Sequence, residues 1–466
     1  MKKLRASSYL NDVDVGDGTS LLFSGSSLCM DLVPTDLASA LTRGSDLSFL
    51  SDEEATHLLN RGHLTELTPD RERAEFIKTV TLISSKVAKA NKKQATASVT
   101  FVLTYNCNLA CTYCFQTPLP HKLRRHAMTG EFVNDFFANC FPQLFPKAPK
   151  HSLVTLFGGE PLLPKNREAI TRILAHVEKL PSSRINVATN GTTLSRMLDL
   201  IGPEEGKIQS VQITLDGDQP LHDECRIPAS GKPTFDVMYG AVQRVIDVKA
   251  DVAIRVHMHP NRLQSAERLV ERLDREGLLG HPQVYVYFSP LNDFTAELQS
   301  PEDLEIFRRI FQYVAARSGR PPSHLMYMNG FLEMQKKKEL PTTRYCGLGS
   351  DSFYAVDPLG GIYQCYDEAG DLDRRIASFS GGKLDYFELR QTYARRTLIN
   401  VPECADCSLS LFCGGGCPVR ARITRGSIFE PYCQQNKEFV RQTLKAFYLR
   451  NAAKAAGKPS NTHAQA

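Results

Sequence analysis

Between residues 98 and 292, short apolar, β-branched runs alternate with amphipathic stretches. The runs fall at 98–104, 152–157, 185–189, 211–215, 252–258 and 284–288 and read as strands. The stretches between them, at 131–140, 167–178, 194–201, 235–248 and 266–276, carry apolar residues at helical spacing. Strands alternating with helices in this way predict a parallel sheet with right-handed crossovers. A site in a barrel of such strands gathers at their carboxyl ends.

Two of the strands also alternate polar with apolar residues. Arg255, His257 and His259 share one face, with Ile254, Val256 and Met258 on the other. Tyr285, Tyr287 and Ser289 likewise share a face. Such residues either line a barrel interior and touch a substrate or satisfy one another in a layered core.

The flanks follow other patterns. Residues 20–23 and 27–32 predict short strands around a Ser-Gly-Ser turn, and helical spacing follows at 35–41, 52–60 and 72–89, with Ser51 as an N-cap. A polar linker near 90–96 suggests a boundary, so 1–95 is expected to be a small α+β domain and 96–300 the barrel. Residues 301–345 read as a helical linker, with a solvated basic run at 336–338. Residues 346–466 form the last domain, with strand–turn–strand character at 353–365, a helix at 436–455 and a frayed tail at 457–466.

Composition narrows the choices. The 466 residues carry 56 Lys and Arg against 51 Asp and Glu, and a net charge of +5 is too mild for a nucleic-acid footprint. No apolar run reaches the about 18 residues of a membrane span. The basic start, Met-Lys-Lys-Leu-Arg, lacks the apolar core of a signal peptide, so a cytoplasmic protein is expected. In that compartment 13 cysteines are metal ligands more often than disulfides.

Three of those cysteines, Cys107, Cys111 and Cys114, follow the first barrel strand at C-x3-C-x2-C spacing, with Tyr113 before the last. Three thiolates on one loop can hold three corners of a cubane iron–sulfur cluster and leave one iron open to a small molecule. The competing reading is zinc, whose cysteines more often pair as C-x2-C…C-x2-C and close with four ligands.

The loop resembles the cluster-binding motif of the radical S-adenosylmethionine (SAM) superfamily. The resemblance implies a partial (β/α)6 TIM-like barrel and a bound SAM. Phe157-Gly158-Gly159-Glu160-Pro161 after the second strand is similar to the motif that meets the SAM amino group, implying contact from Gly159 and support from Glu160. By the same resemblance Tyr113, Asn190 and Thr214 bind SAM, Arg226 clamps its carboxylate and Leu291 packs its adenine. Arg255, His257, Tyr287 and Asp367 would face the substrate, and no further catalytic residue is assigned.

A second array, Cys346, Cys365, Cys404, Cys407, Cys413, Cys417 and Cys433, resembles the SPASM domain that carries two auxiliary 4Fe–4S clusters. The resemblance puts Cys404, Cys407, Cys413 and Cys433 on one cluster and Cys346, Cys365 and Cys417 on the other, whose fourth iron is left for a substrate thiolate or another ligand. Cys29 and Cys140 read as inert core thiols, and Cys225 adjoins the SAM end. Three 4Fe–4S clusters are thus implied.

The N-terminal segment resembles the leader-binding domain of ribosomal-peptide maturases; the alternative is a packing cap for the barrel. Together these features imply a radical SAM peptide maturase making a thioether or carbon–carbon cross-link in a ribosomally made precursor, reduced by a flavodoxin- or ferredoxin-type donor. An anaerobic sulfatase maturase is the runner-up. That family has an Asp directly after the cysteine equivalent to Cys365, where this chain has Tyr366, with Asp367 one further on. The competing class is a non-enzymatic electron-transfer or zinc protein, which has no use for the Gly-Gly-Glu-Pro motif.

Overall fold

The computed structural model describes residues 4–44, 46–91, 96–228, 230–291, 300–324, 343–433 and 436–455. The run 336–338 and the tail 457–466 lie outside them. Two compact units result: residues 1–90 with 325–346 and 396–460, and residues 91–324 with 347–395. The segment 346–466, expected as one domain, is shared between the two.

In the first unit, β1 (Leu10–Gly16), β2 (Thr19–Ser24) and β3 (Met30–Pro34) form an antiparallel meander with β2 central. Helices Thr35–Thr42, Asp52–Asn60 and Pro69–Asn91 follow. Ser51 caps the second with a full capping box to Glu54. β3 starts later than the 27–32 run suggested. The Ser24 hydroxyl accepts the Ser26 and Ser27 N–H groups, and Leu28 sits at φ +61°, so 24–29 is a turn. Leu22, Val33, Ala38, Leu41, Leu58 and Leu64 make one core; Tyr9, Phe76, Val80 and Ile83 make another with Leu398, Val401, Cys404 and Leu411.

The second unit is built on a ten-stranded mixed sheet. β4 (Thr96–Val102), β5 (His151–Phe157), β6 (Ser183–Thr189), β7 (Ser210–Leu215), β8 (Asp251–Met258) and β9 (Val284–Pro290) are parallel and lie in chain order, matching the six runs of the sequence. On the outer side of β4 the sheet continues. β10 (Phe353–Val356) pairs parallel to β4, and β11 (Gly361–Tyr363), β12 (Ala377–Ser380) and β13 (Lys383–Tyr386) run on antiparallel.

Helices Arg167–Val177, Phe235–Asp247 and Leu263–Arg275 lie where the periodicity placed them. The stretch 194–201 instead makes two 3-10 turns, Leu194–Arg196 and Leu198–Leu200. Arg167 takes the Arg196 carbonyl at 3.0 Å, which withdraws it from a continuing helix.

Strand parity positions the site. On β8, Val252, Ile254, Val256 and Met258 are fully buried, and each contributes about 1.5–3 kcal/mol. Ala253, Arg255 and His257 alternate with them, and Arg255 sits in register with Thr214 on β7 and Tyr287 on β9. A polar, partly open lumen face is therefore held by an apolar outer one.

Candidate metal and S-adenosylmethionine centre

The cysteine loop leaves β4 and is strapped on two sides. Gly159 N–H donates to the Thr104 carbonyl at 2.7 Å and Glu160 N–H to that of Asn106 at 2.9 Å. Ala110 and Thr112 N–H groups donate to the Ile227 and Cys225 carbonyls at 2.7 and 3.1 Å. A Cβ on Gly158 would stand 2.4 Å from the Thr104 oxygen, and one on Gly159 2.2 Å from that of Asn106. The Gly-Gly pair is thus required by the cysteine loop crossing over it.

Glu160 is fully buried. Its carboxylate accepts from Leu162 N–H at 2.8 Å, Thr189 Oγ1 at 2.6 Å and Asn190 N–H at 2.7 Å. Burial raises its pKa against these three bonds. The residue ties the ends of β5 and β6 together, and its oxygens are largely spent on that. Asn190 Nδ2 reaches Asn108 Oδ1 at 2.9 Å and lies 3.7 Å from the Cys107 sulfur.

Asp216, at the end of β7, is the hub. It accepts from Tyr113 OH and Arg226 Nε (2.8 Å) on one oxygen and from His257 Nδ1 (2.6 Å) on the other. Burial alone would raise its pKa; Arg226 and His257 instead hold it well below the carboxylate range. His257 is pushed down to about 4 by burial, so it is neutral at pH 7 and Nδ1–H is the donor. Arg226, expected as the SAM carboxylate clamp, already clamps Asp216, with its guanidinium 5.8 Å from the Tyr113 ring centroid. Thr214 lies buried on the lumen face, and Leu291 is buried just past β9.

Deeper along the lumen, Arg255 Nη2 donates to Ser289 Oγ at 3.0 Å and its Nε has no partner. Tyr287 OH donates to Gln212 at 2.6 Å. Tyr366 packs on Phe157 with ring centroids 4.6 Å apart and the planes tilted by 47°, and it lies beside Arg255 and Tyr287, yet stays 39% exposed, as a lumen-facing ring does. Residues 366–368 form a 3-10 turn, so Tyr366 and Asp367 project about a third of a turn apart rather than to opposite faces of an extended strand.

The donor set fits an iron–sulfur cluster. Cys107, Cys111 and Cys114 lie within electrostatic range of one another. A cubane takes each of three such thiolates on a different iron. Burial lifts the Cys107 thiol to about 12, and a bound metal would take it as the thiolate.

In the first unit, Cys404, Cys407, Cys413 and Cys433 line one cavity together with Gly415, Lys437 and Arg441. The loop Gly414-Gly415-Gly416 runs at φ +68°, +84° and +71°, and a Cβ on Gly416 would stand 1.8 Å from the Tyr432 oxygen. Cys346 and Cys417 lie on the same unit, Cys365 on the other. Cys140 is a core thiol, but Cys29 is half-exposed beside the 24–29 turn and not in a core.

Residues 101–273 match the Radical SAM superfamily. Over 357 residues, 73% of this chain and 92% of the relative, the sequence is 22% identical to the cysteine-type anaerobic sulfatase-maturating enzyme of Clostridium novyi. Over 351 residues, 67% of this chain and 77% of the relative, it is 24% identical to the serine-type enzyme of Klebsiella aerogenes. The solved structure of native anSMEcpe with bound AdoMet aligns with a TM-score of 0.59 at 21% identity, covering 76% of this chain and 99% of that one, a likeness of fold. Among the described residues, no helix is long and apolar enough to cross a membrane.

Proposed function

Since residues 101–273 make this chain a radical SAM enzyme, we propose that it matures a ribosomally made peptide or protein by installing a thioether or carbon–carbon cross-link. The observation that carries the reading is the doubly strapped loop of Cys107, Cys111 and Cys114, half-buried at the mouth of a polar lumen. Those cysteines would hold a cubane. When bound, the cubane and SAM supply a 5′-deoxyadenosyl radical that removes hydrogen from an unactivated carbon.

The chain's own residues set the surroundings. Asn190 and Asn108 brace the cysteine loop, and Asp216 fixes the rotamers of Tyr113, Arg226 and His257 around it. Neutral His257 adds no cation to the site. Arg255, Tyr287 and Tyr366 present a guanidinium with its Nε–H unused among the described residues and two phenol rings to a substrate in the lumen, where Arg255 suits a carboxylate or backbone carbonyls. Cys404, Cys407, Cys413 and Cys433 would hold one auxiliary cluster, supported by the cavity they share. Cys346, Cys417 and Cys365 are assigned to the second. The β1–β2–β3 meander has an edge on each side to which a leader strand can add. A flavodoxin- or ferredoxin-type protein is the proposed electron donor.

Formylglycine formation is the second reading, favoured by the sulfatase-maturating relatives that span most of this chain. Tyr366 in place of an Asp counts against it.

The test is anaerobic reconstitution with iron, sulfide, SAM and dithionite, then incubation with short peptides encoded beside the gene. Release of 5′-deoxyadenosine is required, and its absence removes the reading. A product lighter by two hydrogens, with its sulfur retained and inert to hydrazide, supports the cross-link. An aldehyde captured by hydrazide supports the second reading.

A further inference from the structure

Arg396 is 3% exposed. Its Nη2 donates to the Gly415 carbonyl at 2.9 Å and, more weakly, to that of Glu430 at 3.4 Å, while Nε has no partner. No carboxylate pairs with it among the described residues. The acids nearby are committed elsewhere: Glu403 and Glu430 to Arg425, and Asp406 to Arg73. A buried guanidinium without an anion is costly, and native chains rarely keep one. The sulfurs of Cys346, Cys404, Cys413 and Cys417 act on this one electrostatically. Gly415, to which it bonds, stands between Cys413 and Cys417 and lines the same cavity as Cys404 and Cys413. A Cβ on Gly415 would meet the guanidinium at 2.9 Å, so the loop is shaped around the arginine.

We propose that Arg396 is the shared counter-cation of the two auxiliary iron–sulfur clusters, with its Nε–H donating to ligand or cluster sulfur. The inference rests on the auxiliary-cluster part of the function proposed above. Cys404 and Cys413 are assigned to one cluster and Cys346 and Cys417 to the other, so one guanidinium faces ligands of both. Neutral thiols supply no counter-charge; metal-bound thiolates do. One-electron reduction adds negative charge to a cluster, so a fixed cation and a donated hydrogen bond favour the reduced form and raise the potential. Arg396 is then a positioning residue that tunes electron transfer without touching substrate.

The experiment uses the full chain with Cys107, Cys111 and Cys114 changed to Ala, so that only auxiliary iron remains. Iron and sulfide are counted, and redox titrations are followed by electron paramagnetic resonance in this background and with Arg396→Gln or Arg396→Lys added. Arg396→Gln is expected to disfavour reduction at least tenfold, a shift of about 59 mV to more negative potential for one electron. Arg396→Lys keeps the charge but loses Nε–H and should fall between. A Gln variant with wild-type iron and wild-type midpoints overturns the inference. If the Gln variant does not accumulate, the Lys variant decides, and an unshifted midpoint overturns it. A parent protein that binds no iron sinks the auxiliary clusters themselves, a different failure read from the iron count.

Discussion

Asp216→Asn removes one charge and almost no volume at the hub of the site. The wild-type carboxylate accepts from Tyr113, Arg226 and His257 at once. An amide has a single acceptor oxygen. If that oxygen faces Arg226, the NH2 group meets His257 Nδ1 and forces the neutral ring to move its proton to Nε2, and if it faces His257, the NH2 meets Arg226 Nε–H. Arg226 in either case becomes a buried cation with no anion. Breaking a buried pair from one side costs about 3–5 kcal/mol. At roughly 2–4 °C per kcal/mol for a domain of 150–250 residues, the melting temperature should fall by about 6–20 °C. The check is thermal unfolding of anaerobically prepared protein, followed by circular dichroism alongside iron content. Arg226→Met added to Asp216→Asn should recover at least half of the loss, because removing both partners leaves no orphaned charge. A single variant melting within 2 °C of wild type, or a double variant no better than the single, refutes the account of Asp216 as the neutraliser of Arg226.

Other outcomes follow from the same geometry. His222 is buried, with a pKa pushed down to about 4 by burial, so the folded state resists the proton that the unfolded chain accepts near 6.5. Its contribution is intact above pH 6.5 and is lost as pH falls toward 4, by about 3 kcal/mol in all; urea midpoints measured across that window should drop in wild type and drop less in His222→Gln, where the buried His257 still titrates. Gly159→Ala puts a methyl group 2.2 Å from the Asn106 oxygen and should displace the cysteine loop; iron analysis is expected to show about four irons fewer per chain, with auxiliary signals kept. Cys404→Ala should remove auxiliary iron while SAM still perturbs the spectrum of the first cluster. Ser51→Ala removes the helix cap at Glu54 and should cost about 0.5–2 kcal/mol in a urea melt.

The six parallel strands were legible because each buries one apolar face against helices, and burial of that kind is written in β-branched runs. The lumen positions of Arg255, His257 and Tyr287 were legible for the complementary reason, since period-two alternation survives wherever one face stays polar. What escaped depends on partners far along the chain. Asp216 gathers residues from 10 to 103 positions away, and no spacing rule joins them. Its one local trace was an acid closing an otherwise apolar strand. The pairing of β10 with β4 was equally hidden, because an edge strand does not encode which neighbour it will accept. The Gly-Gly pair was found for its lack of side chains, and the structure adds a demand of its own on it, the close approach of the cysteine loop.

Two buried arginines beside the cysteine arrays differ in one respect that follows from what each array must receive. Arg226 stands beside Cys111 and Tyr113 with its charge cancelled by Asp216. SAM brings a sulfonium and an ammonium to such a site, and an uncancelled guanidinium there would repel both at low effective dielectric. Arg396 stands among four cysteines with no carboxylate paired to it. No cation is called for at that position, and clusters ligated by several thiolates carry net negative charge. A buried arginine is therefore tolerated at each place on opposite terms. Near the first loop it is made neutral so that a cation can enter; within the second array, on the proposed assignment of auxiliary clusters, it is left charged so that electrons can arrive. Exchanging the terms should fail at both: a carboxylate supplied to Arg396 would compete with the thiolates for its charge, just as removing Asp216 would set Arg226 against the sulfonium.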